Sequence, residues 1–152
     1  MNVTRSGFAR LFAAGAALVG APVSVQAADA KSHRLAIHVD QNDPAIMNQA
    51  LNNVTNVIQH YTESGAPIQI EVVAYGPGLN MLRDDTSPVK ARLASMKASM
   101  PQLIFSACNV TKTAMEKAEG HPITIVPQAR IVPSGVVRLT ELQESGYAYV
   151  KP

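Results

Sequence analysis

The chain's single cysteine, Cys108, stands between an apolar stretch, Leu103 to Ala107, and a segment with helical spacing that begins at Asn109. A thiol at such a junction faces the unpaired N–H groups and the positive dipole end of the helix, which favour the thiolate, a nucleophile. Its other use there is as a small buried hydrophobe. With no second cysteine there is no CxxC pair, no internal disulfide and no cysteine-rich zinc site. His38 and Asp40 are two apart, so a strand puts them on one face, close enough for the carboxylate to orient the imidazole. A histidine satisfied by backbone is the alternative. His33, His38, His60 and His121 show no HxH, HxxH or HExxH spacing, so no metal is expected. Asp84-Asp85 suits a solvated turn. Gly76-Pro77-Gly78 follows a strand as phosphate loops do, yet it is neither GxGxxG nor GxxxxGK and Pro77 lacks a donor, so it reads as a turn and no cofactor is expected.

These residues need elements to hold them, and short apolar runs alternate with amphipathic ones from Lys31 on. Arg34 to Val39 reads as a buried strand. Asp43-Pro44 gives an N-cap and a proline at the first helical position, and Met47, Ala50, Leu51, Val54, Val57, Ile58 and Tyr61 recur at helical spacing until Gly65. Ile68 to Tyr75 is a second strand. Ser87-Pro88 starts a helix to about Ser99, Leu103 to Ala107 is a third strand, and Asn109 caps a helix to Glu119 with Gly120 behind it. Ile123 to Val126 reads as the fourth strand, with an extension or bulge through Arg130 to Val132. Ser134 caps a last helix that Gly146 ends, and Tyr147 to Val150 is the fifth strand. Strict alternation implies right-handed crossovers and a five-stranded parallel sheet in a three-layer α/β/α domain.

In an open parallel sheet, ligands bind outside the carboxyl ends of the strands. That edge gathers His38, Asp40 and Asn42 after the first strand, Tyr75 and Gly76 after the second, Cys108 and Asn109 after the third, and Arg130 and Ser134 after the fourth. These are the candidate site residues. A cation beside Cys108 would lower its pKa further, and protonated His38 or Arg130 are the candidates. The first helix has no charged residue between Ala45 and Tyr61, only amides, Thr55 and His60 as polar groups, which fits either a subunit contact or an amide-rich solvent face.

Residues 1–27 read as a signal peptide: Arg5 and Arg10, then the apolar Leu11 to Val19, then Val25-Gln26-Ala27 with small residues where a signal peptidase reads. Cleavage there leaves a single domain over residues 28–152, exported to the periplasm, with no stable membrane insertion because the apolar run is short and broken by Gly20 and Pro22. The whole chain of 152 residues carries 13 Lys+Arg against 11 Asp+Glu, and loss of Arg5 and Arg10 leaves the two signs equal. A neutral domain with few aromatics has neither the basic footprint nor the stacking platforms for nucleic acid.

The stretches LAIHVDQNDPAIMNQALNNVTNV, EVVAYGPGLNML, FSAC from Phe105 to Cys108, and ARIVPSGVVRLTELQESGYAYVKP together resemble the exported branch of the DsrE/DsrF-like proteins, over nearly all of the mature chain. The resemblance implies a three-layer fold, assembly as an oligomer, here a homo-oligomer, and a cysteine that carries sulfane sulfur as a persulfide. By that similarity Cys108 is the carrier, with a sulfur donor or acceptor protein as partner. Export excludes the tRNA thiolation performed by cytoplasmic relatives. Two other classes stay open on the residues alone: a non-catalytic small-ligand or sensor module using the same edge, and an oligomeric subunit of a larger complex.

Overall fold

Asp43 and Pro44 start the first helix as their types require: Asp43 accepts the N–H of Ala45 at 2.7 Å, and Pro44 fills a position whose N–H has no helical partner. The computed structural model describes residues 32–152, and the leader expected over residues 1–27 lies outside them. Its elements run β1 (His33–Val39), α1 (Pro44–Glu63), β2 (Ile68–Ala74), a 3-10 helix (Gly76–Leu82), α2 (Lys90–Ser99), β3 (Leu103–Cys108), α3 (Asn109–Glu119), β4 (Ala129–Val132), α4 (Gly135–Glu144) and β5 (Ala148–Val150). The strands form one sheet in the order β4-β3-β2-β1-β5, and every pairing is parallel. This is the three-layer α/β/α arrangement expected from the alternation.

The order decides which face each helix covers. From β1 to β4 the chain steps steadily in one direction, so right-handed crossovers put α1, α2 and α3 on one side; the step back from β4 to β5 puts α4 on the other. The first face is the main core, where Ile37, Val39, Val72, Phe105 and their in-register neighbours meet Met47, Leu51 and Val54 of α1 and Leu93 of α2. The second is smaller: Ala36 and Val73 meet Leu139 and Leu142 of α4, with Tyr75 and Tyr147 at its margins. The polar candidates His38 and Cys108 share that second face.

Several sequence expectations change in detail; α2, for one, begins at Lys90 behind Val89 and not at Ser87-Pro88. Ile123 to Val126 is not the fourth strand, which is Ala129–Val132 alone. Its backbone pairs instead with the end of the 3-10 helix, Asp84 N–H to Thr124 O at 2.8 Å and Val126 N–H to Leu82 O at 2.9 Å. Its apolar composition reports core filling, since Ile123 and Val126 are buried, not membership of the sheet. Gly76-Pro77-Gly78 opens a seven-residue 3-10 helix rather than a simple turn. Gly78 lies so close to the end of β1 that a Cβ on it would sit 2.4 Å from the Val39 carbonyl oxygen, so only glycine lets the segment lie there. The cap of α3 is Cys108 and not Asn109, which is already helical and exposed. The amides of α1 have an internal use as well: Arg92 of α2 donates to Asn48 Oδ1 at 2.8 Å and to Asn52 Oδ1 at 2.7 Å.

Candidate functional site

Cys108 ends β3 in extended conformation and caps α3, its Sγ accepting the Thr111 N–H at 3.4 Å. It is 4% exposed. Burial pushes the thiol pKa up, but the Thr111 hydroxyl and the backbone N–H groups of Thr111, Gly135 and Val110 outweigh burial and hold it below the usual thiol value. The donors come from the starts of two helices, α3 and α4, so the sulfur sits where two positive dipole ends converge. Thr111 is itself oriented: its Oγ1 accepts the Gly76 N–H at 3.0 Å, which leaves its own proton free for the sulfur. The start of the 3-10 helix thereby fixes the rotamer of a residue on α3.

Gly135 has a double role. Its N–H faces the sulfur, and its missing side chain makes room for Tyr75, whose Cβ and Cδ1 would lie 2.8 Å from a Cβ built there. The Tyr75 ring continues along the edge and stacks on His38, with centroids 4.5 Å apart. Burial raises the Tyr75 phenol pKa, and the phenol also feels Asp40, Tyr149 and Cys108. Tyr75 is thus the side chain that joins the cysteine to the histidine.

His38 is 5% exposed. Its Nδ1 is 2.8 Å from the Tyr149 hydroxyl of β5, and its Nε2 lies 3.9 Å from Asp40 Oδ2, beyond hydrogen-bond range. Among the described residues Nε2 is the buried side-chain polar atom with no partner at all. Burial lowers the His38 pKa despite the pull of Asp40, so the ring is neutral at pH 7 and supplies no cation to the thiolate. Asp40 is held by Lys151 at 2.6 Å, and that bond keeps its carboxyl below the ordinary carboxylate range. His38 and Asp40 thus share one face as expected, but the carboxylate does not hydrogen-bond the imidazole; each side chain bonds the C-terminal segment instead, His38 to Tyr149 of β5 and Asp40 to Lys151 just beyond it.

Arg130 does not reach the sulfur. Although on the same face as Cys108, it donates from Nη2 to Glu71 Oε2 at 2.8 Å and from Nε to Ser106 Oγ at 3.0 Å. Glu71 is fully buried in mid-strand, and Arg138 of α4 binds both its oxygens, at 2.8 and 2.9 Å, while Ser106 donates at 2.6 Å. Burial raises the Glu71 pKa, and these donors more than reverse it. The cluster pins α4 and β4 to the sheet. Ser134 starts α4 without a side-chain capping bond and lines a groove of about 330 Å³ with Arg130, Arg138 and Glu141. Asn42 accepts from Asn80 at 2.8 Å on the rim of a separate groove of about 590 Å³ between the 3-10 helix and α3. Asn42, Asn109, Arg130 and Ser134 thus stand around the site without touching Cys108 or His38 through any hydrogen bond found in the structure.

Sequence reasoning missed Thr111, Gly135, Tyr149, Lys151 and Glu71. Glu71 had a signal, a lone carboxylate inside the apolar run Ile70 to Ala74. Thr111 follows Cys108 by three residues and was within local reach, whereas Tyr149 and Lys151 depend on which strand lies beside β1 and Gly135 on which lies beside β3, and periodicity does not carry that. Among the described residues no group of three or more His, Cys, Asp or Glu could hold a metal ion, and no helix is long and apolar enough to cross a membrane.

No protein-family model matches the chain, and no curated protein matches it. Among solved structures it is similar to a protein of unknown function, MTH1491, from Methanobacterium thermoautotrophicum: 28% identical, with a TM-score of 0.67, over 79% of this chain and 99% of that one. The likeness extends to the parallel sheet with its flanking helices.

Proposed function

We propose that the protein handles sulfane sulfur, Cys108 accepting it as a persulfide and passing it on, as in the DsrE/DsrF-like proteins that the sequence resembles. The observation that carries this reading is the place of the thiol as the cap of α3, its Sγ accepting the Thr111 N–H at 3.4 Å, with no second cysteine in the chain to take it into a disulfide; the Thr111 hydroxyl and the N–H groups of Val110 and Gly135 help to hold its pKa down. Such a nest of donors stabilises sulfur as an anion both before attack and when it departs. In loading, the Cys108 thiolate attacks the outer sulfur of a persulfide R–S–SH. The Sγ–S bond forms, the donor S–S bond breaks, and the electron pair leaves on R–S⁻. In discharge an external thiolate attacks the outer sulfur and Cys108 departs as thiolate; no net oxidant or reductant is consumed.

The same proposal includes export by the leader, release of a chain beginning near Ala28, and assembly as a homo-oligomer that meets a donor or acceptor protein. The near-complete burial of the thiol favours a second reading, a small-ligand or sensor module at the same edge. Intact-mass measurement after incubation with polysulfide separates them, with Cys108→Ser as control. Added sulfur on the wild type and none on the variant supports the carrier. An unlabelled wild type, under conditions that modify a small thiol, overturns it in favour of the module.

A further inference from the structure

The end of the chain is held by side chains of β1 more than by burial. Among the described residues β5 is an edge strand of three residues, all exposed, and it pairs with β1 alone. Tyr147 bonds Gln69 at its start. At its other end, near the carboxyl edge of the sheet, two links tie the segment: the Tyr149 hydroxyl to His38 Nδ1 at 2.8 Å, and the Lys151 ammonium to Asp40 Oδ2 at 2.6 Å. The two links meet at one atom, because His38 Nε2 lies 3.9 Å from that same Oδ2 and bonds nothing.

A proton on the ring changes what the ring needs. An imidazolium donates from both nitrogens. Nδ1–H keeps Tyr149, whose phenol oxygen accepts and whose own proton turns to solvent, since Tyr149 is exposed. Nε2–H has one acceptor nearby, Asp40 Oδ2, and closing 3.9 Å to an ordinary hydrogen bond of about 2.9 Å takes a shift of about 1 Å. That oxygen is then claimed by two cations. The Lys151 side chain is 41% exposed, so water can replace its partner, whereas the His38 ring is 5% exposed and cannot be solvated in place. An exposed ion pair is worth little, and a buried charge left without a partner costs much more, so the carboxylate goes to the ring.

The surroundings offer the imidazolium no other carboxylate. Facing the ring are Asp40 from its own strand end, the Tyr75 phenol from beyond β2, stacked at 4.5 Å, and Tyr149 and Lys151 from the C-terminal segment. On α4, Arg138 is bound to Glu71 and Glu141 to Arg138, while Glu144 is exposed at the far end of the helix. Cys108 stands on β3, two strands away. We propose that His38 is a proton-operated latch on the end of the chain: when its ring is protonated, Asp40 passes from Lys151 to the imidazolium, and the segment beyond Val150 is released from the carboxyl edge of the sheet. The latch is independent of the chemistry at Cys108. Burial holds the His38 pKa below the ordinary 6.5 and the Lys151 bond holds Asp40 below 3.8, so as pH falls the ring takes up its proton before the carboxylate does.

The test follows the His38 ring by proton NMR and the backbone by ¹⁵N relaxation, from about pH 8 down to about pH 4. The ring should titrate with a midpoint below 6.5. At that same midpoint the Lys151 amide order parameter should fall from near the rigid value of about 0.85 toward the flexible range below about 0.6. His38→Phe keeps a ring to stack on Tyr75 and should show no mobilisation of Lys151 in this window. Lys151→Met removes the competing cation and should raise the His38 midpoint, and Asp40→Asn removes the carboxylate and should lower it. A Lys151 amide that stays rigid through the His38 titration overturns the latch. Mobilisation at the same midpoint in His38→Phe overturns it too, since another group would then be the sensor. A His38 midpoint that neither Lys151→Met nor Asp40→Asn moves overturns the exchange of the carboxylate and the latch with it.

Discussion

Thr111→Val isolates the hydroxyl that faces the Cys108 sulfur. Valine keeps the β-branched shape on α3 and the backbone N–H at 3.4 Å from Sγ, so the side-chain oxygen is the group lost. A hydrogen bond to a charged group is worth about 1.5–3 kcal/mol, and sulfur, a weak acceptor, puts this one near the lower end, about 1.5 kcal/mol. At 1.36 kcal/mol per unit, the thiol pKa should rise by about one unit. The rate of iodoacetamide alkylation, followed over pH 5 to 10, should keep its plateau and shift its midpoint upward by that amount. Around neutral pH the variant should react up to about tenfold more slowly. Folding should weaken too, because the Gly76 N–H loses its acceptor, at a cost of about 1–3 kcal/mol. Thr111→Ser retains the hydroxyl and should retain the wild-type midpoint. An unshifted midpoint in Thr111→Val, or the same shift in both variants, would refute the assignment of the hydroxyl as a thiolate donor.

Other outcomes follow from the same geometry. Gly135→Ala places a methyl group 2.8 Å from Tyr75; the ring or the start of α4 must move, and the Cys108 alkylation midpoint should rise as the Gly135 N–H is displaced. Glu71→Ala leaves Arg138 without its main anchor and should lower the urea-unfolding free energy by about 3–5 kcal/mol. Since the folded-state pKa of Glu71 is depressed, its contribution is present above the unfolded carboxyl pKa of about 4.3 and lost as pH falls through the folded value, so Glu71→Gln should flatten the acid limb of stability against pH. For the depressed thiol the rule is the same at higher pH: between the folded Cys108 pKa and the unfolded value of about 8.5, wild-type stability should rise with pH relative to Cys108→Ala, measured by the same unfolding curves.

Much of the fold is legible because helix and strand periods differ and the caps are local. The run from Asp43 to Gly65 contains its own start, stripe and stop, and the structure places α1 at Pro44–Glu63. The fourth strand fails for a non-local reason. Ile123 to Val126 and Ala129 to Val132 are both apolar and short, and only tertiary pairing with Leu82 and Asp84 takes the first of them away from β3. Cys108 is legible as a strand-to-helix junction from its neighbours alone. The donors from α4 are not, because Gly135 comes beside Cys108 only through the pairing of β4 with β3, in which Val132 aligns with Cys108.

The candidate site is a product of the order in which the strands are laid down. Had the last crossover continued in the direction of the first three, β5 would lie beyond β4, and neither Tyr149 nor Lys151 would stand next to β1. The reversal places Leu35 against Ala148 and Ile37 against Val150, and one step further on the side chains of His38 and Asp40 meet those of Tyr149 and Lys151, each pair 111 residues apart in sequence. The same reversal sends α4 to the second face, where its first residue delivers an N–H to Cys108 and its Arg138 closes over Glu71. One topological choice thereby supplies both the α4 end that faces Cys108 and the tyrosine that holds the histidine ring. A cysteine on β3 and a histidine on β1 become parts of one edge only once α4 and β5 are in place. Loss of β5 pairing should therefore release His38 while leaving the Cys108 nest, built by α3 and α4, intact.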